Sequence, residues 1–320
     1  PMKFLLTAIN AKFIHSNPAI YSLRAGVGEK LQPYVELAEF TINESLESIL
    51  EGIWKRQPKV IGFSCYIWNW KLIRELLTEL PKILPDTEIW LGGPEVTYDG
   101  PGLLSEFPQV TGIMVGEGEV TFREVLDHYV REAESTGQSE QQPEPDSIEQ
   151  QAADRTGTVV GKSVAERFGQ IPGLCLVSGY TAPRELTDLT MLPFLYEDME
   201  PFTNRIIYYE TSRGCPYRCS YCLSSIDKKV RLRDIDVVKR ELQFFLDQNV
   251  KQVKFIDRTF NCDHKHAMEI WEYIYKHDNG VTNFHFEISA DILREEEIAL
   301  LNRFRPGLAQ LEIGVQSTNP

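Results

Sequence analysis

Cys215, Cys219 and Cys222 stand at i, i+4 and i+7, a C-x3-C-x2-C run directly after the apolar segment Ile206-Ile207-Tyr208-Tyr209. A loop leaving a strand can aim three sulfurs at one point, and Gly214 and Pro216 are the residue types that shape such a turn. Thiolates are soft ligands, suited to iron–sulfur clusters and to zinc. A structural zinc site takes four protein ligands, and the next cysteine, Cys262, lies forty residues on in another predicted element. A cubane cluster held by three thiolates keeps one iron open to a substrate or cofactor. The cluster is therefore the preferred reading, with zinc and three unrelated loop cysteines as the alternatives.

The same run, with the aromatic Tyr221 just before its last cysteine, resembles the radical S-adenosylmethionine enzymes. The resemblance implies that Cys215, Cys219 and Cys222 ligate a [4Fe–4S] cluster whose open iron is chelated by S-adenosyl-L-methionine. It implies an external electron donor, C–S cleavage by the reduced cluster, and release of a 5′-deoxyadenosyl radical. Tyr221 would then lie beside the adenine.

A loop of this kind needs a scaffold. Downstream, the hydrophobic periodicity predicts helices over 234–248, 263–276 and 294–304 and strands over 252–256, 284–288 and 309–315. That series predicts a (β/α) barrel with its active site on the carboxyl-end loops. Each strand ends in polar residues, and the resemblance implies that Asp257, Glu287 and Gln316 contact the methionine and ribose parts of the cofactor. The chain stops straight after the fourth predicted strand. The family's core is longer, so a truncated barrel with an open strand edge is expected. Cys262, His264 and His266 are not expected to form a metal site, because residues two apart on a helix face different ways.

Upstream, strands predicted over 3–9, 35–42, 60–65, 88–91 and 112–115 alternate with helices over 19–31, 45–54, 70–80 and 120–131. This rhythm predicts a doubly wound parallel sheet, which binds ligands beyond the carboxyl ends of its strands. Ser64-Cys65-Tyr66, Gly92-Gly93-Pro94-Glu95 and Gly116-Glu117-Gly118-Glu119 fall there. Tight turns explain any one of these alone. Together, the glycines allow a ligand close to the backbone, and the glutamates disfavour phosphate.

The G-G-P then G-E-G-E pair is similar to the cobalamin-binding domain joined to one branch of the radical S-adenosylmethionine enzymes. The resemblance implies cobalamin contacts from Ser64, Tyr66, Gly92, Gly93, Pro94, Glu95, Gly116, Glu117 and Gly118, with the G-G-P loop along the nucleotide tail. The D-x-H-x-x-G motif of proteins that bind cobalamin through histidine is absent. His15, in Phe13-Ile14-His15-Ser16-Asn17, is read as an ordinary loop histidine. A domain that has kept this fold and lost the cofactor stays open as an alternative.

A net charge of −14 argues against general affinity for nucleic acid or an anionic membrane. With no eighteen-residue apolar run, no signal peptide and six irregularly spaced cysteines, a cytoplasmic, reducing compartment is expected. Residues 132–157, rich in Glu, Gln, Ser and Pro, read as an acidic disordered insertion between a domain over 1–131 and one over 201–320. Residues 158–200 read as a connecting hairpin, 158–160 with 173–178, and an extended linker, with Cys175 as a small buried hydrophobe.

The fold class expected is therefore α/β, a Rossmann-like, cobalamin-binding-type sheet followed by a partial radical S-adenosylmethionine barrel. The function expected is methyl transfer from cobalamin to an unactivated carbon of a small-molecule or peptide substrate. Cobalamin-dependent cyclisation or rearrangement is the alternative within the family. A non-enzymatic iron–sulfur or corrinoid-binding module is the alternative outside it, and would need a fourth protein ligand on the cluster.

Overall fold

The computed structural model describes residues 2–139, 163–227 and 229–315. The chain divides into two units, Pro1–Phe13 with Asn17–Thr187 and Ile14–Ser16 with Asp188–Pro320. Among the described residues no helix is long and apolar enough to cross a membrane.

The first unit runs β1 (Phe4–Asn10), α1 (Pro18–Gly26), β2 (Val35–Thr41), α2 (Leu46–Trp54), β3 (Val60–Ser64), α3 (Trp70–Ile83), β4 (Glu88–Gly92), α4 (Gly100–Glu106), β5 (Val110–Met114), α5 (Gly118–Ser139), α6 (Val164–Phe168), β6 (Leu174–Leu176) and β7 (Gly179–Tyr180). Five parallel strands lie in the order β2-β1-β3-β4-β5, and the antiparallel β6 and β7 extend the sheet beyond β5. Every residue of β1 is buried, as befits a central parallel strand covered on both faces. Its alternate residues feed two cores. Leu5 and Ile9 pack with Ile61, Phe63, Ile73 and Leu77, while Phe4, Leu6 and Ala8 pack with Trp90, Phe122 and Leu126.

The helix starts are chemically marked. Asn17 caps α1 by accepting from the backbone of Ala19 and Ile20, with Pro18 in the first turn. Ser45 caps α2 through Ser48.

Three local expectations are corrected. The helix expected over 70–80 continues past Pro81 to Ile83. Proline there removes the amide that would bond the Leu77 carbonyl, and the Gln109 side chain donates to that carbonyl instead, at 2.8 Å. Glu132–Ser139, expected to belong to the disordered insertion, instead continue α5. Glu132 is held there by Arg167, whose Nε and Nη2 donate at 3.0 and 2.8 Å. The rest of that stretch, with 158–160, lies outside the described residues, and the hairpin is formed by β6 and β7 instead. The short α4 was not anticipated, its two glycines and one proline masking the helical period. Cys175, on β6, is fully buried.

The second unit runs β8 (Ile207–Tyr209), β9 (Ser212–Arg213), β10 (Arg231–Leu232), α7 (Ile235–Asp247), β11 (Gln252–Phe255), α8 (His264–Lys276), β12 (Asn283–Ile288), α9 (Glu295–Leu301) and β13 (Ala309–Ile313). β8, β11, β12 and β13 pair in parallel in that order, the βα series expected. Asp234 and Asp263 cap α7 and α8 through their side chains.

One face of this sheet is aromatic, with Tyr209 against Phe245 and Phe255 against Phe286 and Phe260. Beneath it Arg233 forms a buried fork with Glu241 at 2.6 and 2.8 Å, and Tyr209 donates to the same carboxylate at 2.5 Å. The alternate residues Lys254, His285 and Glu287 belong to the other, polar face. The free side of β8 is not bare: Ile206 is bridged in parallel by His15, and the Ile206 amide donates to the Ile14 carbonyl at 2.9 Å.

Candidate functional site

The cysteine loop leaves β8 and is closed by the antiparallel pairing of β9 with β10, Ser212 opposite Leu232 and Arg213 opposite Arg231. Its entry is gripped by Asp257, just beyond β11. The register of Phe255 beside Tyr209 carries Asp257 alongside Thr211. Asp257 accepts from the Thr211 amide at 3.0 Å, the Thr211 hydroxyl at 2.7 Å and the Ser212 hydroxyl at 2.5 Å. The carboxyl group is 1% exposed. Burial pushes its pKa up to about 6, against the downward pull of the Ser212 and Thr211 hydrogen bonds.

Gly214 turns the chain with a φ of +100°, and a Cβ there would lie 2.5 Å from the Lys229 carbonyl oxygen, so only glycine fits. The Cys215 amide donates to the Asp227 carbonyl at 2.9 Å. Its sulfur lies 3.6 Å from Thr259 Oγ1. Further along, Tyr217 donates to Ser289 Oγ at 3.3 Å, and the Ser289 backbone is bracketed by the Asn261 side chain with two contacts of 2.9 Å. The Cys222 amide donates to the Cys219 carbonyl at 3.1 Å, closing a turn on which Tyr221 is 79% exposed. Arg213 forks onto Glu210 at 2.9 and 2.8 Å.

Cys215 is buried, Cys219 and Cys222 are half-buried, and all three are free thiols. Among the described residues no three His, Cys, Asp or Glu side chains, the loop cysteines included, are grouped closely enough to hold a metal ion. The loop fits a cluster through its donors, three free soft thiols in one short segment whose entry and flank are tied to β11 and β12.

Asp257 and Glu287, also expected near the cofactor, lie on different elements. Asp257 faces its own chain, as a strap on the loop's entry. Glu287 lies on β12 with Lys254 Nζ 3.6 Å away. Gln316 falls outside the described residues. Thr211, Thr259, Asn261 and Ser289 were missed, although the pairing of β8 with β11 would have brought the first two to notice. His264 pairs with Glu297 at 2.8 Å, and the His266 ring is mostly buried.

In the first unit the strand order reverses between β1 and β3, the position at which open α/β sheets bind ligands. Ser64, at the end of β3, receives Asn17 Nδ2 at 3.2 Å. Buried Asn69 ties the same end together by donating to the Ile9 and Ser64 carbonyls at 3.1 and 2.9 Å. Tyr66 stacks on Trp68, ring centroids 4.4 Å apart.

The glycine loops differ in kind. Gly93, with φ +111°, lies so close to the β3 loop that a Cβ would meet the Cys65 carbonyl oxygen at 2.4 Å. Its neighbour Gly92 accepts from the Cys65 amide at 2.7 Å. Gly116, with φ +80°, faces open space. Pro94, Glu95 and Gly118 are half-buried. Glu117 accepts from the Thr187 amide at 2.7 Å.

Around these turns Phe13, Ile67, Trp68 and Tyr98 are exposed at 65, 80, 49 and 59%. Exposed apolar groups in loops at one end of the sheet, after β1, β3 and β4, fit a large, flat, partly apolar ligand. His15 belongs to the second unit, its Nδ1 lying 2.5 Å from the Tyr208 hydroxyl.

Comparison with known proteins gives two family matches. Residues 5–126 match the B12 binding domain, and residues 209–320 match the Radical SAM superfamily. The cobalamin-dependent radical SAM methyltransferase TokK of Streptomyces tokunonensis is 29% identical over 223 residues, covering 64% of this chain and 28% of TokK. The anaerobic magnesium-protoporphyrin IX monomethyl ester cyclase of Rubrivivax gelatinosus is 24% identical over 292 residues, covering 85% of this chain and 46% of the cyclase. Among solved structures, the cobalamin-dependent S-adenosylmethionine radical enzyme OxsB, with aqua-cobalamin and S-adenosylmethionine bound, shares the fold with a TM-score of 0.69 at 17% identity. That match covers 99% of this chain and 44% of OxsB. The chain thus spans less than half the length of each of these proteins.

Proposed function

Because this chain is a B12-binding-domain-containing radical S-adenosylmethionine protein, we propose that it acts as a cobalamin-dependent radical methyltransferase on a small-molecule substrate. The observation that carries the reading is the pairing, on one chain, of a tethered three-thiol loop after β8 with a β1/β3 switch point edged by exposed aromatic side chains.

In this reading Cys215, Cys219 and Cys222 hold a [4Fe–4S] cluster. Of the residues expected at S-adenosyl-L-methionine, Tyr221, Glu287 and Gln316 serve it directly, while Asp257, enclosed against Thr211 and Ser212, serves it through the loop. Ser64, Tyr66, Gly92, Gly93, Pro94, Glu95, Gly116, Glu117 and Gly118 form the cobalamin side. When bound, these groups supply a carbon-centred radical and a methyl group, the hard part of the chemistry.

The chain's own residues position and enclose. Asp257 fixes where the loop leaves the sheet, Gly214 turns it, and Tyr217 on Ser289 holds its far flank. The stacked Tyr66 and Trp68 present a flat face that excludes water from one side of a ring system. An external electron donor completes the scheme. Cyclisation is the second reading, favoured by the cyclase whose alignment spans 85% of this chain.

The test is anaerobic reconstitution with iron, sulfide and hydroxocobalamin, followed by desalting and assays for iron, sulfide and corrinoid. Stoichiometric corrinoid alongside four irons, with 5′-deoxyadenosine formed after reduction and label passing from methyl-labelled S-adenosyl-L-methionine to a product, supports methyl transfer. A full cluster without corrinoid would sink it and leave a plain radical enzyme. Loss of iron in Cys262→Ala would point instead to a fourth protein ligand, and so to a non-enzymatic module.

A further inference from the structure

The loop after β11 makes two kinds of contact with the cysteine loop. Asp257 takes the backbone and hydroxyl of Thr211, which are scaffold contacts. Two residues on, Thr259 places its hydroxyl 3.6 Å from the sulfur of Cys215. Both ends of that contact are buried, Thr259 at 6% and Cys215 at 8% exposure. The threonine precedes the 3-10 turn Phe260–Cys262 without capping it through its side chain, so its hydroxyl is not occupied in starting that turn.

A hydroxyl facing a thiol exchanges roles easily, but facing a thiolate it can only donate. In a buried site such a hydrogen bond acts at low dielectric and is correspondingly strong. Hydrogen bonds to the sulfurs are among the features that set a cluster's reduction potential. A donor stabilises the form carrying the added electron and makes the cluster easier to reduce.

Resting on the cluster reading above, we infer that Thr259 is a tuning residue: its hydroxyl donates to the Cys215 thiolate and raises the potential at which the cluster accepts its electron. The step concerned is one-electron reduction from the oxidised cubane, net charge 2+ on its iron–sulfide core, to the 1+ form. The electron comes from a low-potential donor such as dithionite or titanium(III), and no proton is taken up. Thr259 touches a ligand and not a substrate, so its effect is on potential and not on the bonds made or broken.

The experiment is a redox titration of the reconstituted full chain, followed by the electron paramagnetic resonance signal of the reduced cluster. It compares wild type, Thr259→Val, which keeps the shape and loses the hydroxyl, and Thr259→Ser, which keeps the hydroxyl. The expected result is unchanged iron content in all three, a more negative midpoint in the valine variant and a wild-type midpoint in the serine variant. Equal midpoints in wild type and valine variant, or a serine variant shifted as far as valine, overturn the inference. If Thr259→Val yields too little cluster to titrate, Thr259→Ala against Thr259→Ser gives the same decision. A wild-type chain that forms no cubane signal would overturn the cluster reading itself, whereas a normal wild-type cluster with an indifferent valine variant overturns only the role of Thr259.

Discussion

Asp257 holds both donors of a single residue, accepting the Thr211 amide on one carboxylate oxygen at 3.0 Å and the Thr211 hydroxyl on the other at 2.7 Å. The acid that fixes the cysteine loop is also almost wholly enclosed. Burial raises its pKa from 3.8 to about 6, so the folded chain holds this proton more tightly than the unfolded chain does. The stability contributed by the protonated acid is therefore complete below about pH 4 and is lost as the pH rises through about 6. At ~1.36 kcal/mol per unit the change is about 3 kcal/mol. Asp257→Asn removes the titration while its amide can still meet Thr211 and Ser212. Urea midpoints collected from pH 4 to about 7 should fall with pH in wild type more steeply than in the variant. Parallel curves would contradict this account.

Gly93 and Gly116, two of the left-handed glycines of the first unit, separate two costs. At Gly93 an added methyl strains the backbone and strikes the Cys65 carbonyl; at Gly116 it meets only the strain. Gly116→Ala should cost about 1 kcal/mol, within the range for a side chain in the left-handed region. Gly93→Ala should cost on the order of 3 kcal/mol or more, because the clash falls on backbone that cannot rotate away. Thermal melts of the two variants read the difference directly, and equal losses would mean the β3 and β4 loops part easily.

Arg233 and Glu241 form a buried fork to which Tyr209 also donates. Removing one partner strands the other charge, a loss of about 3–5 kcal/mol for a buried pair. Glu241→Leu should therefore be strongly destabilising, and Arg233→Met with Glu241→Leu together should recover much of that loss. Chemical denaturation of the single and double variants measures the coupling. A double variant as unstable as the sum of the two singles would show that the pair is not a unit.

The sheets were legible because parallel strands buried on both faces leave near-continuous apolar runs, as Phe4-Leu5-Leu6 and Val60-Ile61-Gly62-Phe63 do. The cysteine loop was legible because spacing and residue type alone define the donors. What holds that loop was not. Asp257 was read as a cofactor contact because its place at a strand end was visible, whereas the register that turns it onto Thr211 belongs to strand pairing. Thr259 and Ser289 carry no local pattern; their meaning comes from neighbours 44 and 72 residues away in sequence. The continuation of α3 through Pro81 likewise depends on Gln109, a partner that propensity cannot see.

Ile14–Ser16 belong to the second unit although nearly all the rest of that unit begins at Asp188. A unit assembled from two distant stretches cannot be released by a single cut. A fragment starting at Asp188 would lack His15 and expose the side of β8 that Ile14 and His15 cover, an open edge available to other chains. During synthesis, the tripeptide must wait unpaired until Ile206 is made, since its contact closes a loop of 190 residues between Ser16 and Ile206. One side of β8 is thus covered by chain made well before the strand itself, and that cover is placed late by necessity of order.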